Sequence, residues 1–587
     1  MNPANFVAPT LLCALLSACA AVTFAQDQAP EAASGRFKKL AVSFKHQAVA
    51  AANPLAADAG HAMLKRGGTA VDAMIATQLV LGLVEPQSSG LGGGAFLLVH
   101  DGKTNKLTTF DGRETAPASA TPDLFIGSDG LPMTFYDAVV GGKSVGVPGS
   151  VALLAEAHSK HGKLPWRALF QPAITLAERG FPISRRLNTQ ISADRFLSRD
   201  AAARAYFFDA AGAPLPVGFL RKNPEYAATL KAIAARGQSA FYSGEIAADI
   251  VAAVRTHANP GGMTEDDLAA YRVIERQPVC GAYRSLRVCG MGPPSSGGLA
   301  VAQILGMVER FPLSRWGPHS ADSVHVIAEV GRLAYADRNR YIADPKFVLP
   351  PRLMLDPEYI KSRSELIDLN QSMGRADPGS PNGVRYSQLL ADDRSLELPS
   401  TSHVSIVDRH GNAAAMTTTI EDQFGARLMV RGFLLNNELT DFSMQPKEGN
   451  MTVANNVQPG KRPRSSMAPT IVYDAQNQPV IITGSPGGSA IINYVAKSII
   501  AMVDWGMSPQ AAANLPNFGS RNGATELEKG TALEILKPEL ERRGHTVNLM
   551  EFTSGTHSLQ RDVSVKGKVK RWRGGADPRR EGVVRGD

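Results

Sequence analysis

The 587-residue chain is 44% hydrophobic, 20% charged and 6% aromatic, with 55 Gly and 38 Pro. Those proportions exclude a disordered tail, a collagen-like repeat, a coiled coil and a small disulfide scaffold. The formal net charge of +8 permits an acidic partner, nucleic acid included, only if it is spread over a surface large enough to bind one.

In chain order, residues 1–25 carry no Lys, Arg, Asp or Glu, and Val7 to Ala25 is largely apolar. An apolar run ending in small residues reads as a secretory signal peptide cut after Ala25, which places the protein in the periplasm or outside the cell. Leu16-Ser-Ala-Cys19 also resembles a bacterial lipobox, which would anchor a lipid on Cys19; a buried core helix is the alternative. Beyond it no run of about 18 apolar residues occurs, so no transmembrane helix is expected.

Residues 26–45 read as a loose leader. Helices are predicted over 56–66, 69–83 with Thr69 as N-cap, 149–161, 165–179 and 240–255. Short strands are predicted at 95–100 and 107–111. Cys280 and Cys289 flank a hairpin turning near Arg284-Ser285, which sets them opposite each other. A cross-strand disulfide or two free buried thiols both fit. From about Asn370 to Ser400 the chain is rich in Gly, Pro, Asp and Ser and reads as a linker. A strand follows over 401–408, then a turn at Arg409-His-Gly-Asn412 and a return strand over 413–420. This mixture indicates α+β layers rather than a parallel βαβ series.

The linker–strand junction carries chemistry. Were the chain cut before Thr401, that residue would gain a free α-amine beside its own hydroxyl, and an N-terminal Thr is one way to activate a weak nucleophile. On position alone, Thr401 reads as an ordinary strand residue. A turn centred on His410-Gly411 pairs residues whose numbers sum to about 821, setting Thr401 beside Ile420 with Thr419 as near neighbour. Further on, Val480-Ile-Ile-Thr-Gly-Ser-Pro-Gly-Gly-Ser489 runs from a strand into a helix over 490–503. Its glycines and the helix N-terminus suit an oxyanion hole. No Gly-Lys-Ser/Thr follows it or Ser89-Gly-Leu-Gly-Gly-Gly94, which argues against a phosphate loop; a tight structural turn suits both. There is no His-Glu-x-x-His and no paired-cysteine motif, so no metal is expected, and the chemistry needs no cofactor.

Taken together, several motifs resemble the gamma-glutamyltranspeptidase (glutathione hydrolase) family of N-terminal-nucleophile hydrolases. They are Gly67-Gly-Thr-Ala-Val-Asp-Ala73, Glu85-Pro-Gln-Ser-Ser-Gly-Leu-Gly-Gly-Gly94, Phe110-Asp-Gly-Arg-Glu-Thr-Ala-Pro117 and Pro293-Pro-Ser-Ser-Gly-Gly298. Later come Thr401-Ser-His, Leu435-Asn-Asn-Glu-Leu-Thr-Asp-Phe442, Lys461-Arg-Pro-Arg-Ser-Ser-Met-Ala-Pro469 and Gly484-Ser-Pro-Gly-Gly488. The resemblance implies a four-layer αββα fold, one globular unit built from two autoprocessed chains. Residues 26–400 would form the large subunit and 401–587 the small one. It implies Thr401 as nucleophile, Thr419 as its supporting threonine, and Gly487 and Gly488 as oxyanion donors. Arg113, Ser465 and Ser466 would take the carboxylate of a γ-glutamyl group, and Glu438 and Asp441 its ammonium. The implied substrates are glutathione and related γ-glutamyl amides, with water, an amino acid or a peptide as acceptor. A related acylase, resembling the cephalosporin acylases, is the alternative, and a non-catalytic secreted binding protein a further one.

Two departures stand out. Glu421 occupies a position where many members carry Asn. The stretch Ser443 to Gly460 is short for a loop that covers the glutamyl pocket, which favours hydrolysis over transfer. The charge is local: residues 561–587 hold nine Lys/Arg and four Asp/Glu, a net of +5, leaving +3 for the other 560. No nucleic-acid partner is indicated.

Overall fold

The computed structural model describes residues 35–381, 390–395, 397–398, 400–563 and 569–587; the predicted signal peptide and Cys19 lie outside them. Two seven-stranded sheets stack face to face. The first runs, in spatial order, Val583–Gly586, Ala48–Ala51, Thr401–Val407, Ala413–Thr419, Gly94–Asp101, Lys106–Gly112 and Ile274–Arg276. The second runs Val42–Phe44, Val569–Ala576, His557–Val563, Pro479–Thr483, Thr470–Tyr473, Leu286–Gly290 and Val279–Tyr283.

Period-two alternation explains the layering. In the first sheet Val404, Ile406, Ala414 and Met416 join one apolar core with helices Pro54–Lys65, Ala70–Val84 and Trp166–Arg179. Val407, Ala413 and Ala415 face the other way, into a core shared with Ile471, Ile481 and helices Gly297–Val308, Ala321–Tyr341 and Ile491–Val503. Helices therefore cover both outer faces, as the αββα expectation required. The central strands Thr401–Val407 and Ala413–Thr419 are buried on both faces although they carry Ser, Thr and His.

Most predicted elements lie within one or two residues of their expected ends. Thr69 caps its helix by a reciprocal capping box with Asp72. The predicted helix over 240–255 is two, Ser239–Tyr242 and Glu245–Thr256, because Gly244 adopts φ +73° between them. Val42–Phe44 is a strand, paired with Trp572–Gly574, rather than loose leader. Cys280 and Cys289 sit directly opposite in the ladder and form a disulfide, with Arg284 at the turn. Among the described residues no helix is long and apolar enough to cross a membrane.

The hairpin that begins at Thr401 differs from the expected register by one residue. Thr401 pairs with Thr419, not Ile420. The cause is the turn: Asp408 caps the backbone N–H groups of His410 (2.8 Å) and Asn412 (3.0 Å), and Gly411 takes φ +85°. A five-residue loop, Asp408 to Asn412, with glycine in the left-handed region closes the ladder on Val407 and Ala413.

Candidate active site

Thr401 opens its strand directly after Ser400, and the two threonines project to one side of the first sheet, toward the second. Thr419 Oγ1 donates to the Ser400 carbonyl at 2.8 Å and accepts from the Glu421 N–H at 2.8 Å. The Ser400 hydroxyl donates to the Gln87 carbonyl, and Arg580 donates to the Thr401 carbonyl at 3.0 Å. The Ser400–Thr401 peptide is thus held from both sides. The glycines of Ser89–Gly94 serve this closeness: a Cβ on Gly93 would stand 2.0 Å from the Thr419 carbonyl oxygen. That motif is a packing turn behind Thr419.

Thr401, Thr419, Glu421, Glu438, Asp441, Arg113, Ser465, Ser466 and Gly488 line one cleft, together with Glu397, Leu398, Met467 and Ile491. Gly487, also assigned to this site, lies one residue away; it adopts φ +136°, and a Cβ there would strike the Tyr494 ring at 2.4 Å. Gly488 adopts φ +55° and a Cβ there would lie 2.7 Å from the Glu397 carbonyl oxygen. The segment before Thr401 therefore lies directly on the glycine turn.

Arg113 leaves the end of strand Lys106–Gly112 and is fully buried. Its Nη atoms pair with the carboxylates of Glu438 and Asp441, which a 3₁₀ turn three residues apart presents on one face. Its Nε donates to the Pro463 carbonyl at 3.2 Å and Nη2 to that of Arg464 at 2.8 Å. Burial opposes the Arg113 charge, but Glu438, Asp441 and Glu114 together hold it firmly protonated. Both acids and the cation expected to receive a zwitterion are present, and they neutralise one another.

Glu421 is buried, its Oε2 accepts from Asn437 Nδ2, and Oε1 has no partner. Burial, then the neighbouring Asp441, Asp422 and Glu438, pushes its carboxyl well above the ordinary range. It is also held at φ +76°, a region costing a non-glycine residue about 1–3 kcal/mol. The same burial raises Asp441, Glu438 and Glu114, and for Glu114 the neighbouring Glu438 adds to the effect.

The two serines do different things. Ser465 Oγ accepts from the Met467 N–H at 3.1 Å. Ser466 Oγ donates to the Glu397 carboxylate and accepts from Arg338 Nη2 at 2.6 Å. Glu397, Arg338, Arg464, Glu114 and Arg580 were not singled out from sequence. Glu114 and Arg464 fall inside quoted motifs, beside Arg113 and Ser465. Glu397 lies in a stretch read as linker, where nothing local marks it.

His325, Glu329 and His545 form a buried cluster of ligand-type side chains, but their polar groups are already engaged. His325 bonds the Asp368 carbonyl and His545 (2.8 and 2.7 Å), His545 bonds Thr525 (2.7 Å), and Glu329 pairs with Arg332 and accepts from Ser372. The cluster reads as a closed hydrogen-bond network.

The gamma-glutamyltranspeptidase family model matches residues 56–586. The glutathione hydrolase proenzyme of Bacillus subtilis strain 168 is 37% identical, over 99% of this chain and 98% of its own. That of Escherichia coli K12 is 36% identical over 98% of each. Among solved structures, a cephalosporin acylase from Bacillus halodurans superposes with a TM-score of 0.82 at 28% identity, covering 95% of this chain and 99% of its own. A family model matched over nearly the whole described chain, and relatives of this identity over nearly their full length, show that the chain belongs to the gamma-glutamyltranspeptidase family of enzymes.

Proposed function

We propose that this chain cuts itself between Ser400 and Thr401 and then acts as a γ-glutamyl hydrolase/transferase on glutathione and related γ-glutamyl amides. The observation that carries the reading is the Thr419 hydroxyl on the Ser400 carbonyl, which polarises the one peptide bond whose cleavage would free the Thr401 amine. In the first step Thr401 Oγ attacks the Ser400 carbonyl carbon, the C–N bond breaks, and the segment moves to the hydroxyl as an ester. Water then hydrolyses the ester, leaving a Ser400 carboxylate and a free α-amine on Thr401.

The same groups would serve turnover. The Thr401 amine accepts the hydroxyl proton as Oγ attacks the γ-carbonyl, and that proton passes to the leaving amine. The N–H groups at Gly487 and Gly488 receive the oxyanion. In this reading Arg113 and the Ser465 and Ser466 hydroxyls take the α-carboxylate, while Glu438, Asp441 and Glu421 take the ammonium. The substrate carboxylate would take the place of Glu438 and Asp441 on Arg113, and its ammonium the place of Arg113 on the two acids. The disulfide supports an oxidising compartment, periplasmic or extracellular.

Hydrolysis is favoured over transfer because the loop from Ser443 to Gly460 is short, holding only the small hairpin Lys447–Glu448 and Met451–Val453. The test is a denaturing gel with N-terminal sequencing, then turnover of glutathione against a glutaryl amide. Two fragments with Thr401 leading the smaller, loss of cutting in Thr401→Ala, and preference for glutathione support the reading. An intact active chain, or cutting that survives Thr401→Ala, overturns it. Preference for the glutaryl amide favours an acylase, a reading the additional carboxyl of Glu421 keeps open.

A further inference from the structure

One buried guanidinium is bonded to the nucleophile residue itself. Arg580 lies just past strand Val569–Ala576, in the turn Asp577-Pro-Arg-Arg580, and is fully buried. Its Nη1 donates to the Thr401 carbonyl at 3.0 Å, and its Nε and Nη2 donate to the Thr553 carbonyl at 3.2 and 3.1 Å. The neighbouring Arg579 turns the other way, to Glu528 and Asp577. Gly555 makes room for this arrangement: a Cβ there would stand 2.7 Å from Arg580 Cδ and 2.6 Å from Pro486 Cγ, at the glycine turn. The C-terminal turn, the loop at Thr553 and the nucleophile are thus fastened at one cation.

The place of that charge bears on the base. Backbone dimensions within one residue put a freed Thr401 amine within about 7 Å of Arg580 Nη1. An α-amine ordinarily titrates at about 7.7–8.0, so at neutral pH most of it is protonated and cannot accept the hydroxyl proton. A buried guanidinium this close disfavours a second positive charge, by about one pH unit or more. The other charges facing Thr401 across the cleft are already engaged: Arg113 pairs with Glu438 and Asp441, and Glu397 with Arg338 and Arg464. Burial pushes the Glu421 carboxyl toward its neutral form. It does the same to His403, two residues along the strand, and to His557 on the facing strand, which Arg580 and Lys39 depress further. Arg580 is the cation that bonds Thr401 directly.

We propose that Arg580 is a positioning residue for the base: it fixes the Thr401 backbone through the carbonyl and keeps the freed α-amine uncharged at neutral pH. This rests on the self-cutting γ-glutamyl reading above. In turnover the uncharged amine takes the Thr401 hydroxyl proton as Oγ bonds to the γ-carbonyl carbon. It returns that proton to the leaving amine as the substrate C–N bond breaks. With the guanidinium removed, the amine holds a proton at rest and Oγ has no base until the pH is raised. Arg580 acts through Thr401 alone, so it changes the pH at which the enzyme works and not what it binds.

The experiment makes two measurements on the cut enzyme. One is kcat against pH with saturating γ-glutamyl-4-nitroanilide. The other is carbamylation of the small chain's N-terminus by cyanate, which reacts with the uncharged amine and is read by mass spectrometry. In the wild type both titrate at about pH 7 or below, under the ordinary α-amine value. In Arg580→Gln both move up by about one pH unit or more, while Arg580→Lys, which keeps a cation, stays within about half a unit of wild type. Labelling counts only cut molecules, so slow cutting in a variant does not obscure it. If Arg580→Gln yields no small chain, Gly555→Ala, which displaces the guanidinium, takes its place and raises the amine titration by about half a unit or more. A wild-type amine with the ordinary titration overturns the proposal by itself, and so does a cut variant whose amine titrates as in the wild type. A wild type that is not cut at Thr401, or is cut but inactive on the donor, defeats the underlying reading instead; one that is cut and active with an ordinary amine defeats only this inference.

Discussion

Thr419 stands opposite Thr401 in the ladder, yet its hydroxyl donates not to Thr401 but to the carbonyl of Ser400, 2.8 Å away. In the proposed self-cutting it would act on the bond to be broken. Removing one such donor to a developing oxyanion costs about 10²–10³ in rate. Thr419→Ala is expected to slow the appearance of the two fragments by that factor, while Thr419→Ser, which keeps the hydroxyl, stays within tenfold of wild type. A time course on a denaturing gel reads this out; equal rates for Ala and Ser would refute the assignment.

Glu397 is held down to about pKa 2: burial favours its neutral form, but Arg338 and Arg464 outweigh it. Removing one partner from a buried ion cluster costs about 3–5 kcal/mol. In the uncuttable Thr401→Ala background, Glu397→Gln is expected to lower stability by about 3 kcal/mol on chemical denaturation. After cutting, with the segment withdrawn, the same change should cost much less. A penalty equal in both states would show that the segment never leaves.

The acidic cluster makes a pH prediction. Glu421, Asp441 and Glu438 are pushed toward their protonated forms chiefly by burial. An arriving ammonium favours the ionised forms, so binding releases protons. By linkage, affinity then tightens as pH rises, up to the point where the ligand amine itself loses its proton. Titration calorimetry of L-glutamate into the cut enzyme, in two buffers of different ionisation enthalpy, should show net release, smaller in Glu421→Gln. Proton uptake, or identical enthalpies in both buffers, would count against it.

The Cys280–Cys289 bridge closes a short hairpin loop. Chain-entropy arguments assign such a loop about 2–3 kcal/mol of stabilisation. Cys280→Ala/Cys289→Ala is therefore expected to unfold earlier in denaturant by that amount, with cutting at Thr401 retained, since the strand pair lies at the far edge of the second sheet. Non-reducing peptide mapping checks the bridge itself; two free thiols would remove its premise.

Much of the site was legible because its signals are local. Thr401 stands where a Gly/Pro-rich stretch meets an apolar strand. The Gly487-Gly488 pair sits at a strand-to-helix turn, where positive φ demands glycine. The capping box at Thr69 and Asp72 and the Cys280/Cys289 hairpin follow from spacing alone. The register error of one residue has a local origin as well, the side-chain capping by Asp408, which alternation does not reveal.

By itself, then, the amino-acid sequence determined the α+β mixture and the motifs whose family resemblance implies the layered class, a candidate nucleophile and the types of group around it. Those depend on φ/ψ preference, hydrophobic period and motif, all of which act over a few residues. Only the tertiary structure decided who neutralises whom. Arg113 meets Glu438 across 325 residues, and Arg580 reaches the Thr401 carbonyl across 179. Glu397, read as linker, pairs with Arg338 and Arg464. Such pairings arise where two packed sheets and their connecting loops converge, and burial there makes each charge find a partner whatever its distance along the chain.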